Sequence, residues 1–489
     1  MMVRLSGMCV GLICLGAVPT LADDHQGTAR EAAIFGASED AVEREQDLFG
    51  APPSTTPQVK SVRPGLAAPQ VDEDSDAALE GRLQARDDTL KLGGRLYWRL
   101  FSAIDENREL DEVRTTNAAL FYVYGDARPS DRLRAFVKGR FDHLLSGVQD
   151  NPFAQTDAIN LGNDQRTRAR IDQLWLKFDI ERTVFLTVGQ QPIRWGTGRI
   201  WNPTDFVNAQ QRDPLAIFDA RPGIALAKAH IPIERTGTNL YAIAQFDGMS
   251  TVDQTGGVFR IEQTFGPTEA TVSVALRKDE PLRLGTDFSG GLGPLELRGE
   301  LALTHGGDRR RWRGALDLSG AVPTLPIEED ISDDWTPQAV ASVEWGIAYG
   351  DADTLYLTAE YFFNDAGYAS NSIYPWLLAQ GAFVPLYLGR HYAGLNLILP
   401  SPGTWNDSTF ITSALSNLSD GSVITRFDYQ LRILTQLSVY FFAAYHTGRI
   451  GEFRFELDIP AVDTIPELAQ GVQVPAQWLD LGLWLSLAF

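Results

Sequence analysis

"QWLDLGLWLSLAF", residues 477–489, ends the chain and decides the fold. Leu479, Leu481, Leu483, Leu485, Leu487 and Phe489 fall on one side, and Trp478, Asp480, Gly482, Trp484, Ser486 and Ala488 on the other. A period of two belongs to a strand, because a helix would scatter these leucines around its surface. So greasy an edge must be covered, either by a second sheet or by lipid.

Other stretches repeat the pattern and choose between these covers. "LYLTAEYFF" (355–363) sets Leu355, Leu357, Ala359, Tyr361 and Phe363 against Thr358 and Glu360. "LELRGELALT" (295–304) sets leucines against Glu296, Arg298, Glu300 and Thr304, and "VASVEWGIAY" (340–349) sets Val343, Trp345 and Ile347 against Ser342, Glu344 and Gly346. "KLGGRLYWRL" (91–100) sets Leu92, Leu96 and Leu100 against Lys91, Arg95 and Arg99. A soluble sandwich shows one wet face and one core. Residues 89–489 instead alternate almost throughout, with hardly a doubly apolar strand or helix, which predicts an all-β, transmembrane, antiparallel up-and-down barrel with a polar lumen. Eighteen strands are expected, an even number, with the count open by two because 313–322 and 452–459 could each extend a hairpin. Short turns such as "DARPSD", "IERT" and "FGPTE" interleave with long connections at 146–167, 196–221, 306–337, 365–390 and 448–476. With a periplasmic N-terminus, all the long connections fall outside the cell.

The first residues agree with this destination. Arg4, the apolar run 10–18 and Thr20-Leu21-Ala22 read as a secretory signal peptide cut after Ala22. Both cysteines, Cys9 and Cys14, lie within it, so the mature chain has no disulfide or thiolate site. The mature chain carries 41 Lys and Arg (42 less Arg4) against 63 Asp and Glu, a net charge of −22, which argues against a nucleic-acid partner. Residues 23–88 read as an acidic periplasmic extension or linker, rich in Ala, Pro and Gln, with one short helix expected after Ser38.

The terminal strand ending in Phe489 resembles the C-terminal assembly signal of Gram-negative outer-membrane porins. Together with the signal peptide, the cysteine-free mature chain and the strand count, it resembles substrate-specific outer-membrane channels, including the alginate-export type. The resemblance implies an outer-membrane location among lipid and lipopolysaccharide, insertion by the barrel-assembly machinery, and passive, ATP-independent conduction of small solutes. It leaves a homotrimer open and does not fix the solute.

No cofactor is expected. The six histidines stand singly, so no transition-metal site is predicted. The polar faces supply a basic lumen wall of Lys91, Arg95, Arg99, Arg134, Lys138, Arg140, Arg426 and Arg432, with Lys177 and Lys228 added. Glu296, Glu300, Glu344 and Glu360 supply an acidic wall opposite, and the two together would set a transverse field across a wet pore. "QQPIRWGTGRIWNPTDF" (190–206) leads into the third extracellular connection, and the resemblance to general porins, whose third loop constricts the pore, implies the same role here. Arg194, Arg199 and Arg212 offer fixed charge there, Asp205 opposes them, and Trp195 and Trp201 offer flat faces for a sugar or aromatic solute. Two smaller readings accompany these. Arg166, Arg168 and Arg170, in phase with Leu174 and Leu176, would point outward, either to lipopolysaccharide phosphates or into solvent above the membrane. The acidic "IEEDISDD" (327–334) reads as a solvated loop, with a divalent-cation site as its sharper alternative.

The sequence thus points to a channel for small hydrophilic, anionic or sugar-like solutes narrowed by loop 196–221. The alternative is a plugged structural or assembly barrel with residues 23–88 inside the lumen or on a periplasmic partner. A barrel enzyme would need a convergent Ser/His or Asp/His site at the outer rim.

Overall fold

Strands that carry one polar and one apolar edge satisfy their backbone groups only by pairing on both sides, and a closed ring of antiparallel hairpins does so without leaving an edge. The structure, a computed structural model, describes residues 89–106, 113–146, 166–208, 210–215, 221–316, 324–349, 353–459 and 472–489. The leader, the extension 23–88 and its expected helix lie outside the described residues.

The strands, in chain order, are β1 (Leu90–Asp105), β2 (Arg114–Ser130), β3 (Leu133–Ser146), β4 (Thr167–Ile180), β5 (Val184–Gln191), β6 (Ile224–Ile233), β7 (Thr238–Gln245) and β8 (Gly256–Phe265). They continue as β9 (Thr268–Leu276), β10 (Leu282–Leu292), β11 (Leu295–His305), β12 (Arg310–Arg313), β13 (Ile327–Asp330), β14 (Thr336–Tyr349) and β15 (Asp353–Asn364). The last are β16 (His391–Pro400), β17 (Ser408–Asn417), β18 (Ser422–Leu434), β19 (Leu437–Gly448), β20 (Leu457–Ile459), β21 (Val472–Val474) and β22 (Gln477–Ala488). Eighteen of them form one sheet of consecutive antiparallel neighbours, and β22 pairs with β1 to close it. The terminal Phe489 completes the seam, exchanging backbone hydrogen bonds of 2.9 and 3.0 Å with Gly94 and stacking on Phe121. The two doubtful hairpins do not widen the barrel, since β12–β13 and β20–β21 are separate two-stranded sheets in the long connections.

Burial is inverted relative to a soluble domain. Leu96, Val137, Phe141, Ile171, Leu174, Phe259, Val272, Leu301, Trp345, Leu395, Leu485 and Leu487 are exposed, while Arg99, Lys138, Arg140, Asp172, Arg260, Asp287, Glu300, Glu360, Arg426 and Asp480 are buried. Polar groups inward and an apolar band outward are what hydrocarbon outside and a polar lumen require.

One facing assignment changes. The pairing of β3 with β4 slips between Lys138 and Gly139, where Lys138 opposes Gln173 and Gly139 opposes Ile171. Asp172 is the extra residue of a β-bulge, so Asp172 and Gln173 both turn inward and the alternation restarts. Arg168 and Arg170 therefore share the lumen phase of Asp172 and not the outward phase of Leu174 and Leu176, which removes them from a lipopolysaccharide contact. Strict period-two counting cannot see an inserted residue.

The acidic loop is also differently employed. Residues 327–330 form β13, and Arg310 and Arg311 of β12 pair with Glu328 and Glu329 at 3.1 and 3.3 Å. Among the described residues no group of three or more His, Cys, Asp or Glu side chains is placed to hold a metal ion.

Candidate functional site

The connection from β5 to β6 turns into the barrel. Its first part lies on an apolar strip of the inner wall: Ile193, Trp195, Phe206 and Val207 pack against Ile224, Leu226, Ile243, Val258, Ala275 and Ala302. These positions lack charge because the loop covers them. Gly285 of β10 gives room for Phe206, since a Cβ there would stand 2.8 Å from its ring.

Beyond Trp195 the loop is held by carboxylates. Glu300 of β11 accepts the backbone N–H groups of Thr197 (2.7 Å), Gly198 (2.6 Å) and Thr204 (3.1 Å), the Thr204 hydroxyl (2.7 Å) and the Asn202 amide (3.1 Å). Glu360 of β15 accepts from the N–H groups of Arg199 (2.8 Å), Ile200 (3.0 Å) and Trp201 (2.7 Å). Glu344 of β14 receives the Arg199 guanidinium at 2.9 and 3.2 Å. Successive N–H groups converging on one anion form a nest, and charge-assisted bonds of this kind are the strong ones. Gly196, at φ 93°, and Gly198 permit the approach; a Cβ on Gly198 would meet the Trp201 carbonyl oxygen at 2.1 Å.

The tip ends in Trp201. Fully buried, it stacks on Phe362 with centroids 5.5 Å apart and packs on Tyr392, while its Nε1 donates to the Leu386 carbonyl at 3.2 Å. Gly394 of β16 makes room for Ile200 and the indole. Leu386 belongs to the β15–β16 connection, which a buried carboxyl locks to the β19–β20 connection. Glu452 accepts from the Leu386 N–H, from the Tyr392 hydroxyl (2.6 Å) and from Asn417 (2.8 Å), and Asp420 accepts the Glu452 N–H (2.9 Å) and the Tyr374 hydroxyl (3.1 Å). Burial pushes the Glu452 carboxyl up to about 8 and raises the Tyr374 hydroxyl above the usual phenol range, with the neighbouring Asp420 adding to both.

This arrangement corrects two expectations. Glu300, Glu344 and Glu360 do not set a bare acidic field, because the loop engages all three, and Glu296 pairs with Arg298 at 2.6 Å. Nor are the tryptophans open faces: Trp201 is sealed, and Trp195 is buried with the Arg260 guanidinium 5.2 Å from its ring centroid. Of the other loop residues, Asp205 binds Arg221 (2.8 Å) and Asn208, and Arg212 donates to the Arg199 carbonyl (2.9 Å). Arg194 is half-buried at the loop's entrance.

Across the lumen, β1–β4, β18, β19 and β22 carry the basic wall on an aromatic floor. Lys91 and Arg95 lie toward the short-turn rim, and Arg99 sits 5.1 Å from the Trp484 ring centroid. Lys138 and Arg140 lie 4.2 and 5.2 Å from Tyr122, and Arg426 lies 3.8 Å from Phe442. Acids stand among them. Arg134 pairs with Asp126 (2.9 Å), Arg140 and Arg170 share Asp172 (2.6 and 3.0 Å), and Arg426 pairs with Asp428 (2.6 Å). Arg432 sits at the short-turn rim with Asp407. Among the described residues the Asp/His contact that invites an enzymatic reading, His446–Asp480, is buried, and the Phe453 carbonyl faces the other ring nitrogen, leaving neither nitrogen for a water.

A closed eighteen-stranded barrel with an apolar exterior, a polar lumen and a long loop folded inward has the architecture of a porin-type transmembrane β-barrel. Similar solved structures include OccAB1 of Acinetobacter baumannii (11% identity, 82% of this chain and 96% of that chain, TM-score 0.49). OccK9 (OpdG) of Pseudomonas aeruginosa (11%, 82% and 98%, 0.48) and a BenF-like porin from Pseudomonas fluorescens (12%, 82% and 98%, 0.47) are also similar. No family model and no curated protein matches the chain.

Proposed function

We propose that this chain is a channel of a Gram-negative outer membrane for passive diffusion of small hydrophilic solutes, anionic ones above all, with the β5–β6 loop narrowing its lumen. One observation carries the reading. The loop engages Glu300, Glu344 and Glu360 and adds Arg199 to their side, while the facing wall carries Lys91, Arg95, Arg99 and Lys138. A lumen whose acids are engaged on one side and whose cations line the other favours anions electrostatically. Sugar-like solutes are a weaker claim, because the tryptophans meant to stack them are buried.

The test is single-channel recording in planar bilayers, with the reversal potential read under a salt gradient. The expected result is anion selectivity that falls or inverts in the Arg95→Glu, Lys138→Glu double variant. Cation selectivity in the native chain would sink the reading. Silence both in the full chain and after deletion of residues 23–86 would favour a structural barrel instead.

A further inference from the structure

We propose that Glu452 is a positioning residue of the constriction. In its protonated form it holds Leu386 and, through Leu386, the Trp201 tip of the β5–β6 loop; loss of that proton frees the tip and widens the lumen.

The backbone of Leu386 carries the case. Its N–H donates to the Glu452 carboxyl and its carbonyl accepts the Trp201 indole N–H at 3.2 Å, so one residue is pinned between the outer lock and the loop tip. Leu386 is the third residue of the turn 384–387, which follows Pro385 and closes with the Tyr387 N–H on the Val384 carbonyl at 3.3 Å. Its φ is 70°. That place in such a turn belongs by preference to glycine, and a bulky side chain holds it only where neighbouring contacts impose it. The turn is thus strained and doubly fastened, and undoing one fastening favours its relaxation away from Trp201.

The fastening at Glu452 depends on a proton. Its buried carboxyl accepts from the Tyr392 hydroxyl of β16 and the Asn417 amide of β17 as well as from Leu386. The same amide reaches the Tyr374 hydroxyl at 3.2 Å, from the short helix Tyr374–Ala379, and that hydroxyl donates to Asp420 of the β17–β18 turn. Among the described residues no cation forms an ion pair with Glu452 or Asp420: Arg449 lays its stem along Gly421, and His446 of β19 is turned to Asp480. Burial and the neighbouring Asp420 hold the Glu452 carboxyl up at about 8. Above that pH an unpaired negative charge stands in a sealed site beside Asp420, and water must enter to solvate it. The widened lumen rests on the channel reading; the catch itself does not.

Hydrogen exchange of residues 199–204, corrected for intrinsic rates, is followed in the full folded chain between pH 6 and pH 9, beside single-channel conductance at each pH. The expected result is a loss of protection at the tip of roughly tenfold or more, with a rise in conductance. Glu452→Gln, which keeps an acceptor but cannot titrate, should hold the tip protected at pH 9. Trp201→Phe, which lacks the bond to Leu386, should keep the pH response of residues 384–390 and lose that of the tip. A native profile in Glu452→Gln overturns the proposal. So does a tip whose exchange is the same at pH 6 and pH 9 in the native chain, a result that needs no variant to fold. A tip that follows Glu452 in a chain silent at every pH keeps the catch and discards the channel.

Discussion

The Glu360 carboxylate and the Trp201 backbone N–H lie 2.7 Å apart although 159 residues separate them. Glu360 also accepts from Arg199 and Ile200, so its removal strands three donors on a buried loop tip. An unsatisfied buried donor costs about 1–3 kcal/mol, and part of that is recovered by rearrangement. Glu360→Ala should therefore weaken the loop's docking by about 3 kcal/mol, close to a hundredfold in its opening equilibrium. Hydrogen exchange of residues 199–204 reads this directly. Unchanged protection there would show that the carboxylate does not hold the loop.

Trp201 separates packing from hydrogen bonding. Trp201→Ala removes the ring stacked on Phe362 and should destabilise the docked loop by about 3–5 kcal/mol, as large aromatic truncations do. Trp201→Phe keeps a ring but loses the bond to the Leu386 carbonyl, for about 1 kcal/mol. Loop protection and open-channel noise should follow that order, alanine well beyond phenylalanine.

A methyl group is enough at Gly198. Its Cβ would meet the backbone oxygen of Trp201 at 2.1 Å, which no rotamer change can relieve. Gly198→Ala should leave the barrel's heat-modifiable gel mobility intact while altering conductance as strongly as Glu300→Ala does. Native conductance in Gly198→Ala would mean that the loop's path does not matter to the current.

The lock between the outer connections should depend on pH. Burial raises the folded Glu452 carboxyl to about 8, so the folded state holds a proton that an exposed glutamate has already lost. Folded loops then bind more protons than opened loops between the ordinary glutamate range and about pH 8, and their stability falls as pH rises across that window. Exchange of residues 365–390, corrected for intrinsic rates, should show weaker protection at pH 9 than at pH 6. Glu452→Gln should flatten the difference, and a wild-type profile in that variant would remove Glu452 as its source.

Asp172 gives a prediction about the wall itself. It neutralises Arg140, and both side chains are fully buried. Breaking a buried ion pair by deleting one partner costs about 3–5 kcal/mol, so Asp172→Ala should lower the temperature at which the barrel loses its folded gel mobility. Arg140→Leu in the same background should recover part of the loss.

The barrel was legible because lipid imposes period two on every strand, and "QWLDLGLWLSLAF" shows it without interruption. The bulge at Asp172 was not legible, because one inserted residue reverses facing without leaving a compositional mark. The basic wall was read from phase alone, so Asp126 and Asp172 were missed as partners of Arg134 and Arg140. Glu300 and Glu360 were read as lumen residues, but their role depends on a loop about a hundred and more residues earlier, a pairing that no local pattern encodes. One signal was available: Gly285 and Gly394 interrupt otherwise packed strands, and both mark where the loop presses on the wall.

The anchoring of the β5–β6 loop also sets a chronology. Its amides and guanidinium meet Glu300, Glu344 and Glu360 across a hundred and more residues, and those carboxylates come from strands in the second half of the barrel. Contacts of such sequence separation form late, since chain-closure entropy must first be overcome. The nascent barrel is therefore widest while it is being built, and its bore narrows as one of the last acts of maturation.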